Sequence, residues 1–163
     1  MDYEINPRTR VGHIHLTVSN LDKALTFYRD LLGFKVTARF GKNAVFLSSG
    51  DYHHHIALNT WNGEDATPAP KGHTGLYHFA IVYPNREEFA KIFKRIWEKN
   101  YPIEGASDHG VSESVYLRDP DGNGVELYTD RPVEEWPKDE DGNLVMITKA
   151  LDVPNLLSQL DKI

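Results

Sequence analysis

Cysteine is absent from the 163 residues. That removes disulfides, thiolate metal ligands and a cysteine nucleophile together. No apolar run approaches the roughly 18 residues of a membrane span. The opening MDYEINPRTR lacks the apolar core of a signal peptide. Basic residues are in deficit, 18 Lys and Arg against 24 Asp and Glu, for a net charge of −6. Such a balance argues against nucleic acid or an anionic membrane as the main partner. These absences leave a soluble, cytoplasmic globular chain of one domain's length, with room for a proper core. Histidine is the compositional excess, with eight copies, and their positions carry the functional reading.

The first ten residues are polar and read as a loose arm. Val11 to Val18 reads as a strand, with His13, His15 and Thr17 on one parity. Ser19 and Asp22 form a capping-box pattern. Leu21, Ala24, Leu25, Tyr28, Leu31 and Leu32 keep helical spacing up to Gly33. Strand-like runs follow at 34–40, 44–48 and about 53–60, split by the turn signals Gly41-Lys42-Asn43 and Ser49-Gly50-Asp51. After a Pro- and Gly-bearing linker, 61–75, the order repeats. Leu76 to Tyr83 is a strand, and Asn85 caps a helix with the stripe Phe89, Ile92, Phe93, Ile96 and Trp97. Strands near 102–106, 112–118 and 125–129 close the half. The expected fold is therefore α+β: two βαβββ modules, about 11–60 and 76–130, within a single domain 1–130. The two form a curved, partly open mixed β-barrel around a site. The tail, 131–163, packs over the domain or over a neighbouring subunit, and a homo-oligomer, dimer or higher, is expected.

The repeat gives His13 and His78 equivalent places, each opening the first strand of its half, and Glu126 lies in the last strand. Two imidazoles and a carboxylate suit a divalent first-row metal and leave positions open for a substrate oxygen and O₂. Singly, each residue reads as an ordinary hydrogen-bonded or solvated side chain; jointly, through the repeat, they read as a metal site. His15 shares a face with His13 and competes with it.

At these residues a family resemblance emerges. GHIHLTVSNLDKALTFYRDLLGF resembles the opening module of the vicinal oxygen chelate superfamily, LYHFAIVYPNREEFAKIF its second opening, and YLRDPDGNGVELY its closing DPxGxxxE hairpin. The resemblance covers about residues 11–130. It implies a paired βαβββ fold with a metal site inside the curved sheet, ligated by His13, His78 and Glu126. His15 then serves the substrate pocket or is structural.

Glyoxalase I-like members supply a second Glu from the last strand of the first half, where this chain has Ala57. Alanine cannot bind metal, which favours a three-ligand site. By alternation His55, Ala57 and Asn59 share the face that should line the cavity. HHIAL resembles the His-Asp-x-Ala-Leu segment of extradiol ring-cleaving dioxygenases, whose histidine is an acid/base; that role is expected of His55, with His53 and His54 forming a polar rim. The HG…Y segment of those enzymes is matched by His109-Gly110 and Tyr116. The resemblance thus implies a catechol 2,3-dioxygenase-like enzyme of aromatic catabolism. Fe(II) or alternatively Mn(II) is its cofactor, and a small aromatic diol and O₂ are its substrates. Rival readings are a glyoxalase I-like metal-dependent lyase or isomerase, and a non-catalytic bleomycin-resistance-type binding protein.

Overall fold

The computed structural model describes residues 3–70 and 72–162. Met1, Asp2, Lys71 and Ile163, which belong to the expected arm, linker and tail, lie outside the described residues. Two compact units divide the chain, one up to Thr67 and the other from Pro68 onward.

The first unit runs β1 (Ile14–Thr17), α1 (Leu21–Leu25), a π-helical turn (Thr26–Leu31), β2 (Lys35–Phe40), β3 (Ala44–Ser48) and β4 (Ile56–Asn59). Its open, mixed sheet has the order β1-β4-β3-β2, with β1 and β4 parallel and the other pairs antiparallel. The cap of α1 falls one residue later than expected. Asn20, in extended conformation, accepts from the Lys23 amide at 2.9 Å. The wider turn at 26–31 brings both Phe27 and Tyr28 inward. Fully burying an apolar side chain contributes about 1.5–3 kcal/mol, so this local unwinding adds to the core. Gly33 then stops the helix at φ 87°.

The second unit repeats the order: β5 (Phe79–Val82), α2 (Arg86–Glu98), β6 (Gly105–Asp108), β7 (Ser112–Arg118) and β8 (Gly124–Asp130). Asn85 caps α2, accepting from the Glu88 amide at 2.9 Å. Phe89, Ile92, Phe93 and Ile96 are its buried stripe, while Trp97 stays exposed. The open sheet has the order β5-β8-β7-β6-β9. Its last strand, β9 (Lys149–Ala150), comes from the tail and pairs antiparallel with β6. The tail's short helix α3 (Val153–Leu157) contacts α2 and buries Leu156. Glu113, 3% exposed, is gripped by Arg86 at 2.6 Å and Arg131 at 2.8 Å. Arg131 reaches on to Asp108 at 3.0 Å. Burial works to raise the Asp108 carboxyl, but the Gly110 amide and Arg131 outweigh it and hold the group below its ordinary value.

Register makes the internal repeat quantitative. In β1, Ile14 pairs with Ile56; in β5, Phe79 pairs with Val125. His13 and His78 thus occupy the same station, the residue just before each first strand. Ala57 is the repeat counterpart of Glu126. Phe46, opposite Ala57, is the counterpart of Tyr116, opposite Glu126.

Candidate active site

In the second unit the chemistry runs across the sheet from β5 through β8 and β7 to β6. Gly124 lets the chain pass closely here. A Cβ at this position would collide with the Tyr77 carbonyl oxygen and come within 2.9 Å of the His78 Cβ. His78 Nε2 lies 3.0 Å from Glu126 Oε2. Tyr116 faces Glu126 across the β7–β8 ladder, and its hydroxyl donates to Glu126 Oε1 at 3.0 Å. His109, just beyond β6, brings Nε2 to 2.7 Å from the Tyr116 oxygen. Burial, and then the Glu126 carboxylate, pushes the Tyr116 phenol up to about 12, so the hydroxyl remains a donor. His78, Tyr116 and His109 border a cavity of about 420 Å³, lined also by Tyr77, Gly105 and Arg118 among others.

This donor set fits a first-row metal. Two ligand atoms about 2.1 Å from such an ion, at right angles to each other, sit about 3.0 Å apart. That is the separation of His78 Nε2 from Glu126 Oε2. Tyr116 holds the other carboxylate oxygen, as ligand-orienting groups do.

In the first unit His13 is exposed, and its ring centroid lies 4.4 Å from that of His54. His54 also stands edge-on to Phe46 at 5.0 Å. Desolvation, and then the neighbouring histidines led by His13, hold the His54 imidazolium below its ordinary value. His53 Nδ1 meets His54 Nδ1 at 2.7 Å, so one of the two donates and the other accepts. His55 is engaged elsewhere. Its Nδ1 lies 2.9 Å from Ser48 Oγ and 3.4 Å from the Ser49 amide, and its ring lines a cavity of about 480 Å³ with Arg10, Asp51 and Tyr52. The strand begins only at Ile56, so alternation does not extend back to 53–55. Set residue against residue, His-Asp-x-Ala-Leu matches His54-His55-Ile56-Ala57-Leu58, and its histidine falls on His54 rather than on the expected His55.

His15 and Asn59 do meet, with Asn59 Nδ2 3.0 Å from His15 Nε2. The Trp61 amide donates to Asn59 Oδ1 at 3.0 Å. That fixes the amide orientation and makes His15 Nε2 the acceptor. Trp61 closes edge-on against the His15 ring at 5.2 Å, an aromatic wall that the loop-like sequence around 61 did not announce. Ala57, fully buried, lies level with His15 and Phe46.

Within either unit, no group of three or more His, Cys, Asp or Glu among the described residues is arranged to hold a metal ion. His13 belongs to the first unit, and His78 and Glu126 to the second. No helix among the described residues is long and apolar enough to cross a membrane.

The chain is similar to known proteins. The chain is 39% identical over 156 residues to a catechol-2,3-dioxygenase of Bacillus subtilis (strain 168), covering 95% of this chain and 53% of that protein. It is 31% identical over 121 residues to biphenyl-2,3-diol 1,2-dioxygenase 3 of Rhodococcus globerulus, covering 74% and 63%. It therefore spans about half to two thirds of the length of these relatives. Among solved structures, a lactoylglutathione lyase from Agrobacterium tumefaciens matches with a TM-score of 0.59 at 26% identity, over 76% of this chain and 96% of that one. A family model matches residues 10–127, taking in the first module, nearly all of the second and every candidate residue named above: the chain belongs to the Glyoxalase/Bleomycin resistance protein/Dioxygenase superfamily.

Proposed function

We propose that the chain is a metal-dependent extradiol dioxygenase that opens the ring of a catecholic diol with O₂. The observation that carries this reading is the linked series His78–Glu126–Tyr116–His109. It joins two prospective metal ligands to two hydrogen-bonding groups, and His78, Tyr116 and His109 of the series line one cavity. His13, His78 and Glu126 would hold the ion. Fe(II), or alternatively Mn(II), would bring diol and O₂ together and acidify the bound phenol.

The rest falls to the chain's own groups. Tyr116 and His109 border the cavity and orient the substrate oxygens. His54, whose ring lies against His13, carries the proton in place of the expected His55, with His53 as its proton partner. His15, Asn59 and Trp61, which touch one another, would contact the substrate. Cleavage beside the diol places both oxygen atoms of O₂ in a ring-opened semialdehyde. Ala57 supports this over a glyoxalase I-like lyase. At the repeat position of Glu126, the first module has no fourth ligand to close the metal.

The test is oxygen uptake by protein reconstituted anaerobically with Fe(II), and separately with Mn(II), across substituted catechols. Stoichiometric O₂ consumption with a yellow ring-opened product is expected. No uptake with either metal would reject the dioxygenase reading. It would leave the lyase and the binding protein, which isomerase assays and ligand titration then separate.

A further inference from the structure

The C-terminal tail holds two groups against the one nitrogen of His109 that faces away from Tyr116. His109 Nδ1 lies 3.1 Å from the Ile147 carbonyl oxygen and 3.2 Å from Thr148 Oγ1. Its Nε2 lies 2.7 Å from the Tyr116 hydroxyl. We infer that Thr148 is a positioning residue: it sets the tautomer of His109 and thereby directs the Tyr116 hydroxyl onto Glu126. This deepens the dioxygenase reading and rests on it for its catalytic meaning.

Donor counting carries the inference. A carboxylate offers only lone pairs, so the Tyr116–Glu126 contact consumes the single phenolic proton. The Tyr116 oxygen can then only accept from His109, so His109 carries its proton on Nε2. In the neutral ring Nδ1 is left as a lone pair. The Ile147 carbonyl cannot donate to it. The Thr148 hydroxyl can. Without that hydroxyl, Nδ1 faces a carbonyl alone, which favours the opposite tautomer. Nε2 would then accept, and the Tyr116 hydroxyl would turn from Glu126 toward His109.

The tail is held firmly enough to exert this choice. Gly110 has φ +76°. A Cβ there would lie 2.8 Å from Pro137 Cγ and 2.9 Å from Ile147 Cγ1, so the tail sits directly on the His109–Gly110 turn. Beyond Thr148, Lys149 and Ala150 pair with Asp108 and Ser107. The residue is thus pinned on both sides.

The experiment uses the full, metal-free chain labelled with ¹⁵N. Long-range proton–nitrogen correlation reads which ring nitrogen of His109 is protonated, with His109→Gln identifying the signals. Wild type should show His109 protonated at Nε2. Thr148→Val should move the major form to Nδ1, and Thr148→Ser should restore Nε2. Thr148→Ala repeats the test if valine disturbs the strand. Wild type protonated at Nδ1, or at both nitrogens at neutral pH, would overturn the inference. So would unchanged signals in the folded valine and alanine variants.

Turnover is the second readout. With metal and catechol, Thr148→Val should lower kcat about tenfold or more with little change in KM, and serine should rescue it. A protein that shows the expected tautomers yet consumes no O₂ refutes the dioxygenase reading and leaves the Thr148 assignment standing. Normal catechol turnover in Thr148→Val would overturn the directing role while the dioxygenase reading survives.

Discussion

Replacing Tyr116 with phenylalanine keeps the ring in the β7 position and removes one oxygen. That oxygen donates to Glu126 Oε1 at 3.0 Å and lies 2.7 Å from His109 Nε2. The Glu126 side chain is only 13% exposed, so water replaces the lost donor poorly. A hydrogen bond to a charged group contributes about 1.5–3 kcal/mol. Losing it frees the carboxylate to rotate, and such partners of metal ligands typically matter by about 10- to 100-fold in affinity. At about 1.4 kcal/mol per factor of ten, the two estimates agree. Competition against a chelating indicator, with Mn(II) in place of oxidisable iron, measures the effect without catalysis. Affinity in Tyr116→Phe should fall within that range while the fold is kept. An unchanged affinity would show that Tyr116 does not orient Glu126, and its role would reduce to contact with the substrate.

His54→Phe should lower oxygen uptake at saturating catechol by about 10²- to 10⁴-fold, while His55→Phe, whose ring is tied to Ser48 and Ser49, should lower it far less; steady-state oximetry on the two variants decides, and the reverse order returns the proton role to His55. Glu113→Gln should destabilise the second unit by about 3 kcal/mol, because it leaves two guanidinium groups around a neutral amide at a buried position; urea unfolding of the whole chain reads it, and a loss under about 1 kcal/mol would mean that Arg86 and Arg131 find water or other partners. Asp108 has a lowered folded pKa, so its stabilising contribution is complete above the ordinary value of 3.8 and is lost as pH falls through the lower folded value. The stability gap between wild type and Asp108→Asn should therefore be constant near neutrality and shrink in acid, and a gap that widens in acid would refute the sign.

Legibility followed the range of the interactions. The bounds of β3 and β7 and the Asn85 cap could be read directly, because alternation and capping are properties of neighbouring residues. The cap of α1 was misplaced by one because Ser19 and Asn20 are both competent, and only backbone conformation separates them. The π-helical turn left no mark on the periodicity, since the stripe through Tyr28 and Leu31 survives it and only the burial of Phe27 betrays it. His55 was set on the same face as Ala57 because parity was carried past the start of β4 into residues that are not a strand. The grip of Ile147 and Thr148 on His109 spans 38 and 39 residues of chain through a polar, aperiodic tail. No local pattern encodes it.

The register equivalence of Ala57 with Glu126, and of Phe46 with Tyr116, bears on how a duplicated module ages. Two copies of one unit begin under the same selection. Where one copy carries a carboxylate and a hydroxyl and the other carries neither, the matching stations answer to different pressures. At Ala57, fully enclosed beside His15 and Phe46, the constraint is volume, and any small apolar residue satisfies it. At Glu126 the constraint is chemical identity, and even aspartate, one methylene shorter, would draw the charge back from His78 and Tyr116. Variation among descendants of this chain should therefore be tolerated at the first copy's station and purged at the second's, although the two occupy the same address in the same fold.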